Sequence, residues 1–373
     1  MKFTIEKAVL LKTLAHVQNI VEKRNTVPVL SNVRIEASND GISFKATDMD
    51  TEITEIIDAK ILENGAITAP AHMMYDIVRK LSDGAEVELT YPDEKDLLKI
   101  ASGRSEFSLP TIGVEDFPAI SADTLPTNFE MKRDELKDVI DRTQFAASTE
   151  ETRYYLNGLY IHPKDEGETK VLRIVATDGH RLACVESPLP AGAENMQGVI
   201  LPRKTVGEIR KLLDDTNAES IKIALSDSKV RFTLEDITLA SKLIDGTYPD
   251  YERVIPTGNN KILELSVKNL ATAVDRVSVV AERTRAIKMI ANKNHVILTT
   301  SSPELGSSAI EEIEAVYDSE SLEIGYNFRY LLDILSEIKG DTARFSFKDS
   351  SSPSVIHDTS DSSAIYVLMP MRV

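Results

Sequence analysis

The stretch FTIEKAVLLKTL, which begins at Phe3, decides the fold, because its pattern returns as FEMKRDELKDVI from Phe129 and as LELSVKNLATAV from Leu263. The apolar residues at matching offsets are Phe3, Ile5, Leu10 and Leu14, then Phe129, Met131, Leu136 and Ile140, then Leu263, Leu265, Leu270 and Val274. Alternation at the start of each copy predicts a strand, and the later spacing of three to four residues predicts an amphipathic helix. The chain therefore contains three copies of one unit.

A second helix is predicted later in each copy. It begins near Pro70 (PAHMMYDIVRKL), Pro202 (PRKTVGEIRKLL) and Asn327 (NFRYLLDILSEI). Its matching apolar residues are Met74, Ile77 and Leu81, then Val206, Ile209 and Leu213, then Leu331, Ile334 and Ile338. Alternating segments such as GISFKATDMDTEI, NHVILTTSS and TLASKLIDG lie between or after the helices and predict strands.

These units predict an α+β fold of three repeated domains, each with two helices and antiparallel sheets. We place the domains at residues 1–124, 125–255 and 256–373, because stretches rich in Pro, Thr or Asn fall near 121–128 and 256–262. The repeats by themselves leave open a tandem duplication with no circular arrangement.

The composition is that of an ordinary globular protein in a reducing compartment. Among 373 residues there is one cysteine, Cys184, so neither an internal disulfide nor a zinc ribbon is expected. No apolar run approaches the ~20 residues that span a bilayer, and the charged first residues do not resemble a signal peptide. We expect a cytoplasmic protein with no membrane partner and no cofactor.

Charge is divided between two kinds of element. The net charge of −17 argues against a nucleic-acid partner, which needs basic surface. The six predicted helices (6–24, 72–81, 132–142, 202–213, 267–276 and 327–339), however, hold 18 Lys and Arg against 11 Asp and Glu. Helices that line a hole would offer basic surface to a duplex while an acidic exterior repels other DNA.

Several motifs resemble a known family over nearly the whole chain. They are MKFTIEK at the start, RYYLNG from Arg153, ATDGHRLA from Ala176, LPRK from Leu201, YPDYERVIP from Tyr248 and the terminal YVLMPMRV. Together they resemble the bacterial sliding clamps, the beta subunits of DNA polymerase III. The resemblance implies a DNA polymerase processivity factor: a head-to-tail homodimeric ring of clamp domains, loaded by an ATP-driven clamp loader onto double-stranded DNA without regard to sequence. It also implies that short linear motifs of the DNA polymerase III alpha subunit, other DNA polymerases and mismatch-repair proteins bind the ring.

The resemblance also implies a hydrophobic peptide-binding pocket. Residues that would line or flank it are Leu156, Thr177, Gly179, His180, Arg181, Leu182, Pro249, Val254, Asn327, Tyr330, Val367, Met369 and Met371. Polarizable methionines and small aliphatic side chains suit a groove that accepts several apolar anchors. Composition alone favours reading the Met and Leu residues as ordinary core.

For DNA, the resemblance points to Arg24, Arg153, Tyr154, Tyr155, Lys204 and Arg253. Scattered basic residues give weak, sequence-blind phosphate contacts, and the paired tyrosines could instead stack on single-stranded bases. Each of these residues alone could equally be solvated surface or half-buried aromatic. His72, Glu150 and Glu151 depart from the family pattern and put DNA contact at those positions in doubt.

For the dimer interface, the resemblance points to Arg104, Phe107 and Leu109 on an edge strand packed against Val279 and Val280 of the partner. Arg104 would pair with Glu311, Glu312 or Glu314, whereas Glu106 stands where a basic residue is common. Exposed pairs of this kind contribute only about 0 to 1 kcal/mol.

The sequence leaves two other classes of function open. An enzyme could use Asp178 and His180 of ATDGHR as an acid and base, but ATD also occurs at residues 46–48 with no histidine after it, which favours a structural turn. No nucleophile, phosphate-binding or metal-binding motif accompanies it. A protein-interaction scaffold that does not bind DNA is the other alternative.

Overall fold

The structure, a computed structural model of the chain, describes residues 1–22, 26–92, 96–118, 120, 124–167, 169–281, 285–302 and 306–372. It forms two compact units. Unit 1 comprises Met1–Asp134, Pro190–Asn195 and Gly207–Leu243, and unit 2 comprises Glu135–Leu189, Met196–Val206 and Ile244–Val373.

The described residues contain the six predicted α-helices, with shifted ends. They are α1 (Lys7–Ile20), α2 (Ala71–Lys80), α3 (Arg133–Gln144), α4 (Arg203–Asp215), α5 (Val267–Ala281) and α6 (Phe328–Ser336). Helix α1 ends earlier than predicted because Val21 is extended. Helix α5 continues past the predicted end at residue 276, since Val277 and Ala281 prolong its buried stripe. Short 3-10 helices span Pro28–Ser31, Val114–Asp116, Glu151–Leu156 and Tyr251–Val254.

Unit 1 contains two antiparallel sheets. The five-stranded sheet has the order β5-β1-β7-β8-β9, with β1 (Lys2–Glu6), β5 (Lys60–Glu63), β7 (Glu86–Thr90), β8 (Leu97–Ser102) and β9 (Ser105–Pro110). The eight-stranded sheet has the order β10-β15-β16-β17-β4-β3-β2-β6, with β2 (Asn32–Ser38), β3 (Gly41–Thr47), β4 (Thr51–Ile57), β6 (Gly65–Pro70), β10 (Thr127–Lys132), β15 (Ser220–Leu225), β16 (Lys229–Leu234) and β17 (Ile237–Lys242).

Unit 2 repeats this pattern. Its nine-stranded sheet has the order β14-β11-β12-β13-β26-β25-β24-β18-β22, with β11 (Gly158–Glu166), β12 (Thr169–Thr177), β13 (Arg181–Pro188), β14 (Val199–Pro202), β18 (Lys261–Ser266), β22 (Val316–Tyr317), β24 (Thr342–Phe347), β25 (Ser354–Asp358) and β26 (Ala364–Leu368). The four-stranded sheet has the order β21-β20-β19-β23, with β19 (Ala286–Asn292), β20 (His295–Ser302), β21 (Ser307–Glu314) and β23 (Leu322–Asn327).

Two antiparallel strand pairs join successive copies of the repeat. We call the pair β4 and β17 in unit 1 the first junction, and the pair β13 and β26 in unit 2 the second junction. The sheets therefore continue from one copy into the next, which explains why the compact units do not coincide with the three copies.

The repeated apolar positions form the core, as predicted. Every member of the set that begins with Phe3, Phe129 and Leu263 is buried. In the second helices, Val206, Ile209 and Leu213 are buried, and so are Leu331, Ile334 and Ile338. Their counterparts Ile77 and Leu81 in the first copy are only half-buried. The first copy thus presents apolar helix surface that the other two copies cover.

The helices are less basic than the sequence predicted. Within the bounds of the structure they hold 14 Lys and Arg against 10 Asp and Glu, a net charge of +4. The difference arises because α4 continues past its predicted end to include Asp214 and Asp215, and because α3 begins after Lys132. The helices still carry a net positive charge, whereas the rest of the chain carries a net negative charge. In the described part of the chain, no helix is long and apolar enough to cross a membrane.

Candidate functional site

The motif ATDGHR forms a tight turn between β12 and β13. The Asp178 carboxylate accepts hydrogen bonds from the backbone N–H groups of His180 (2.8 Å) and Arg181 (3.0 Å). In the first copy, the Asp48 carboxylate accepts from Asp50 and Thr51 in the same way, at 3.0 and 2.6 Å. Aspartates that bond their own backbone two or three residues on stabilise turns. The prediction that ATD is a structural turn is confirmed.

The second junction carries an apolar floor. Leu182 on β13 is paired with Val367 on β26, and Thr177 on β12 with Leu182. Leu182 and Val367 belong to one buried cluster with Leu156, Val175, Cys184, Ile200, Tyr248 and Tyr251. Three of the predicted pocket residues, Leu156, Leu182 and Val367, therefore lie together.

Two further predicted residues flank this floor and remain open to solvent. Val254 is 52% exposed and Met369 is 42% exposed. The Met369 N–H donates to the carbonyl of His180 (2.9 Å), and the Met371 N–H donates to that of Gly325 (2.9 Å). These bonds hold the backbone of Met369 and Met371 in place. The result is an apolar floor with accessible Val and Met side chains, which we call the apolar groove.

The Arg181 side chain is held in place and supports the aromatic rim. Its guanidinium bonds the carboxylates of Asp178 (3.1 Å) and Asp333 and the carbonyl of Phe145 (2.6 Å). It lies 4.4 Å from the centre of the Tyr330 ring, and the His180 ring stacks with Tyr330 at 6.1 Å. Arg181 therefore orients Tyr330 through a cation–π contact.

Other predicted pocket residues shape the backbone. Thr177 donates to the carbonyl of Arg181 (2.7 Å), and Asn327 caps helix α6 by accepting from the Arg329 N–H (3.0 Å). Gly179 adopts φ +87°, and a Cβ there would approach the Arg153 guanidinium to 2.9 Å. Pro249 is exposed.

Sequence reasoning missed the tyrosines beneath the groove. Tyr160 and Tyr248 stack at 4.7 Å, and the Tyr251 hydroxyl lies 2.8 Å from His162 and accepts from Arg173 (3.3 Å). Burial raises the pKa of Tyr248 and of Tyr251, so both stay neutral. Two of these tyrosines, Tyr248 and Tyr251, belong to the motif YPDYERVIP, in which the sequence pointed only to Pro249, Arg253 and Val254.

The structure places most DNA candidates near one another. Arg153, Tyr154 and Tyr155 share the 3-10 helix Glu151–Leu156, and Tyr155 packs against the floor cluster of the apolar groove. Exposed Lys204 begins α4, where the Arg203 N–H bonds the carbonyl of Asn157 (2.9 Å). Arg24 lies outside the described residues.

The exposed arginines are already paired with acidic neighbours. Arg153 lies 3.3 Å from the Glu150 carboxylate, and Arg253 lies 2.6 Å from that of Asp250. Phosphate contact by either side chain would compete with these exposed pairs, which contribute only about 0 to 1 kcal/mol.

The dimer candidates lie on two sheet edges. Strand β9, which holds Phe107 and Leu109, is the edge of the five-stranded sheet, and β21, which holds Glu311, Glu312 and Glu314, is the edge of the four-stranded sheet. Glu311 pairs with Arg276 of its own chain (2.9 Å) and Glu106 with Lys99 (3.1 Å).

A groove of about 740 Å³ lies beside β9 in unit 1. Its lining includes Met73, Ile77, Leu81, Arg104 and Phe107. Leu109 is only 3% exposed and belongs to the core of its own sheet, whereas Val279 on α5 is 77% exposed. Phe107 and Val279 are therefore accessible to a partner, and Leu109 is not.

In the described residues, no three His, Cys, Asp or Glu side chains are close enough together to hold a metal ion.

Three family models match successive parts of the chain. They describe the N-terminal domain (residues 1–121), the central domain (130–250) and the C-terminal domain (252–372) of the DNA polymerase III beta subunit. The fold and these matches define a clamp built of three repeated α+β domains.

Individual proteins agree with the family models. A beta sliding clamp of Caulobacter vibrioides is 50% identical over the whole of both chains, and one of Escherichia coli K12 is 35% identical, again over the whole of both. The crystal structure of a Caulobacter crescentus beta sliding clamp superposes with a TM-score of 0.97 at 50% identity and covers 100% of this chain and 99% of that one. A sliding clamp of Bartonella birtlesii bound to griselimycin gives a TM-score of 0.96 at 44% identity, with full coverage of both.

The chain belongs to the DNA polymerase III beta subunit family, the bacterial sliding clamps. Its function is that of a DNA polymerase processivity factor in DNA replication. The relatives' names specify no catalytic activity. A scaffold that does not bind DNA is not favoured, because all these matches are to a DNA polymerase subunit.

Proposed function

We propose that two copies of this chain close head to tail into a ring around double-stranded DNA and tether partner proteins through the apolar groove. The proposal includes no catalytic role, a location in the cytoplasm and three domains divided near residues 124 and 255. The partners are a clamp loader, the DNA polymerase III alpha subunit, other DNA polymerases and mismatch-repair proteins. The observation that carries the tethering role is the apolar groove itself, with a buried floor and exposed Val254 and Met369.

A short peptide with apolar anchors fits this groove physically. A few buried anchors supply most of the affinity of a peptide, and an exposed methionine adapts to different anchors. Relatives have been solved with polyethylene glycol at a putative motif-tethering region and with griselimycin bound. The proposed groove residues are those named above, with Leu156, Leu182 and Val367 as floor and Val254, Met369 and Tyr330 as accessible rim.

The proposed dimer joins the groove beside β9 to helix α5 of the partner. Exposed Val279, with half-buried Val280 beside it, would enter the space between Phe107, Ile77 and Met73, which the chain leaves open. This would cover the helix surface that the first copy alone exposes.

For DNA, we propose Arg24, Arg153, Tyr154, Tyr155, Lys204 and Arg253 as contacts that are weak and independent of sequence.

Topological linkage tests the whole proposal. The protein is loaded onto a nicked circular plasmid with a clamp loader and ATP, the plasmid is isolated by gel filtration, and half is then linearised. We expect the protein to stay on circles and to leave linear DNA. Equal retention on both would show ordinary binding and contradict a ring.

A further inference from the structure

A second groove, of about 390 Å³, lies over the first junction in unit 1. Its described lining comes from β3, β4, β16 and β17, together with Ile120 and Leu125, and includes Lys45, Glu52, Thr54, Lys229, Arg231 and Thr238. We call it the polar groove. The proposed function makes no use of it.

The polar groove and the apolar groove have the same strand register. At the first junction Thr47 pairs with Glu52 and Glu52 with Ala240. At the second junction Thr177 pairs with Leu182 and Leu182 with Val367. By the same strand pairing, Lys45, Thr54 and Arg231 at the first junction occupy the positions that Val175, Cys184 and Val355 occupy at the second. The backbone is therefore shared, while the floor has changed from apolar to charged.

Among the described residues of this lining, the single carboxylate is already satisfied. Glu52 is buried, accepts from the Lys45 ammonium (3.1 Å) and accepts from the backbone N–H of Ile120 (3.1 Å). A carboxylate that already accepts from an ammonium group and an amide N–H has few acceptor positions left for a second cation. It therefore does not neutralise Arg231.

Arg231 is the basic residue that stays available. It is half-buried, and in the described part of the chain no ion pair joins it to another residue. Arg231 on β16 pairs with Ala240 on β17, and Ala240 pairs with Glu52 on β4. Arg231 therefore lies two strand spacings, about 10 Å, from Glu52. Lys229 projects from the same face of the same strand, two residues away. In a chain of net charge −17, Arg231 places a positive charge in this groove, with the hydroxyl groups of Thr54 and Thr238 also in the lining.

We propose that the polar groove binds a short peptide segment that carries a carboxylate side chain, with Arg231 as its principal contact. A guanidinium recognises a carboxylate through two parallel hydrogen bonds, and the threonines around it supply further donors. The choice of a peptide as ligand rests on the proposed function, since the equivalent junction is proposed to take an extended peptide. The preference for a carboxylate rests on the charges of this groove alone.

The test compares two capped peptides, acetyl-GEAEG-amide and acetyl-GQAQG-amide, titrated against the full-length protein at low salt with saturation-transfer NMR. We expect the glutamate peptide to bind at least tenfold more tightly. Arg231→Gln should weaken it about tenfold. Arg34→Gln, on strand β2 of the same sheet but outside the groove, is the matched control and should change affinity less than twofold.

Ala240→Glu is a second variant that does not depend on removing Arg231. The new carboxylate would pair with Arg231 directly across β16 and β17, a favourable cross-strand pair, and should block the glutamate peptide. Thermal unfolding of each variant checks that the sheet is intact.

Three results would overturn the proposal: equal affinity for the two peptides, unchanged binding by Arg231→Gln, or competition by inorganic phosphate at the same concentration as the peptide, which would mark a simple ion site. An apolar peptide is titrated in parallel. If it fails to bind the wild-type protein while the glutamate peptide binds through Arg231, the apolar groove is refuted and the polar groove stands.

Discussion

The two junctions have the same backbone and different chemistry. Each pairs a strand of one copy with a strand of the next in identical register, yet Leu182 and Val367 form the floor of the second, and Glu52 and Ala240 that of the first. Strand pairing depends on backbone hydrogen bonds and on which face is buried, so it tolerates this exchange. Binding depends on the side chains that reach solvent. One ancestral unit can therefore keep its assembly while its copies acquire separate ligands.

The buried basic side chain beside each junction also differs between the two junctions. His16 on α1 and Arg142 on α3 occupy equivalent positions of the repeat, and both are almost fully buried. His16 contacts Glu55 (2.8 Å) and Asp215 of the following copy (3.3 Å). Arg142 contacts Asp361 (3.0 Å) and Ser363 (2.9 Å) of the copy that follows it. Only the first junction therefore relies on a group that titrates near neutral pH.

The largest effect is expected at the proposed junction between chains. Val279→Asp places a carboxylate against the groove beside β9 of the partner, and burying it costs several kcal/mol, so the protein should be monomeric at micromolar concentration. Phe107→Asp, on the other side of the proposed interface, should have the same effect. Val316→Asp, at another highly exposed valine in unit 2, is the control. Analytical ultracentrifugation measures the outcome, and a dimer that survives both changes would remove these residues from the interface.

The second effect concerns the buried cation of the second junction. Arg142→Met removes the buried cation that Asp361 and Asp138 share and leaves Asp138 paired with Lys339 alone, which should lower the free energy of unfolding by about 3 to 5 kcal/mol. Arg344→Met, which breaks an exposed pair with Glu264, should cost less than about 1 kcal/mol. Urea denaturation compares them. Equal losses would mean that the second junction does not depend on its buried cation.

The third effect concerns the apolar groove. Val254→Ala combined with Met369→Ala removes exposed apolar surface without touching the core, and should weaken an apolar polymerase-tail peptide by about tenfold to a hundredfold. Met49→Ala, in the equivalent turn of the first junction, should have no effect. Calorimetry with the same peptide measures the affinity of the double variant and of the Met49 control. Loss in the Met49 variant would show that peptides also use the first junction.

The fourth effect is a pH dependence of opposite sign in the two units. Burial disfavours the charged form of His16, but Glu55 and Asp215 outweigh it and raise its pKa. Its contribution is complete below the unfolded pKa of ~6.5 and is lost as pH rises through the higher folded pKa, by at most about 1.4 kcal/mol per pH unit. In unit 2, burial lowers the pKa of His162 and of His357, so stability there rises with pH up to about 6.5.

Hydrogen exchange of the two units between pH 5.5 and 8.5 measures this difference after correction for intrinsic exchange rates. His16→Gln should reduce the loss of stability of unit 1 with rising pH and leave the pH dependence of unit 2 unchanged. The same slope in the variant and the wild type would show that His16 is not the titrating group.

The smallest effect is expected for DNA. Arg153→Ala with Arg253→Ala should weaken nonspecific duplex binding by about 1 kcal/mol and flatten its salt dependence, because each phosphate contact releases counterions. Lys293→Ala, an exposed and similarly paired lysine, is the control. Fluorescence anisotropy at several salt concentrations tests this, and a loss confined to some sequences would contradict sequence-blind contact.

The sequence by itself determined the repeat and most of the secondary structure. The offsets shared by Phe3, Phe129 and Leu263 located three copies, because a buried stripe has to recur with the period of a strand or helix. The shared ATD of residues 46–48 and 176–178 identified a turn, because aspartate bonds its own backbone locally. Motif resemblance supplied the groove residues and the family.

Tertiary structure alone decided which of these residues are accessible and what they contact. Leu109 and Phe107 look alike in sequence, yet one lies in the core and the other lines a groove. His16 and Arg142 gave no signal, since Glu55, Asp215 and Asp361 lie far away in the chain, and the surroundings of Tyr248 and Arg231 form only when distant strands come together. Burial and charge pairing are sums over neighbours in space, and a local pattern specifies only neighbours along the chain.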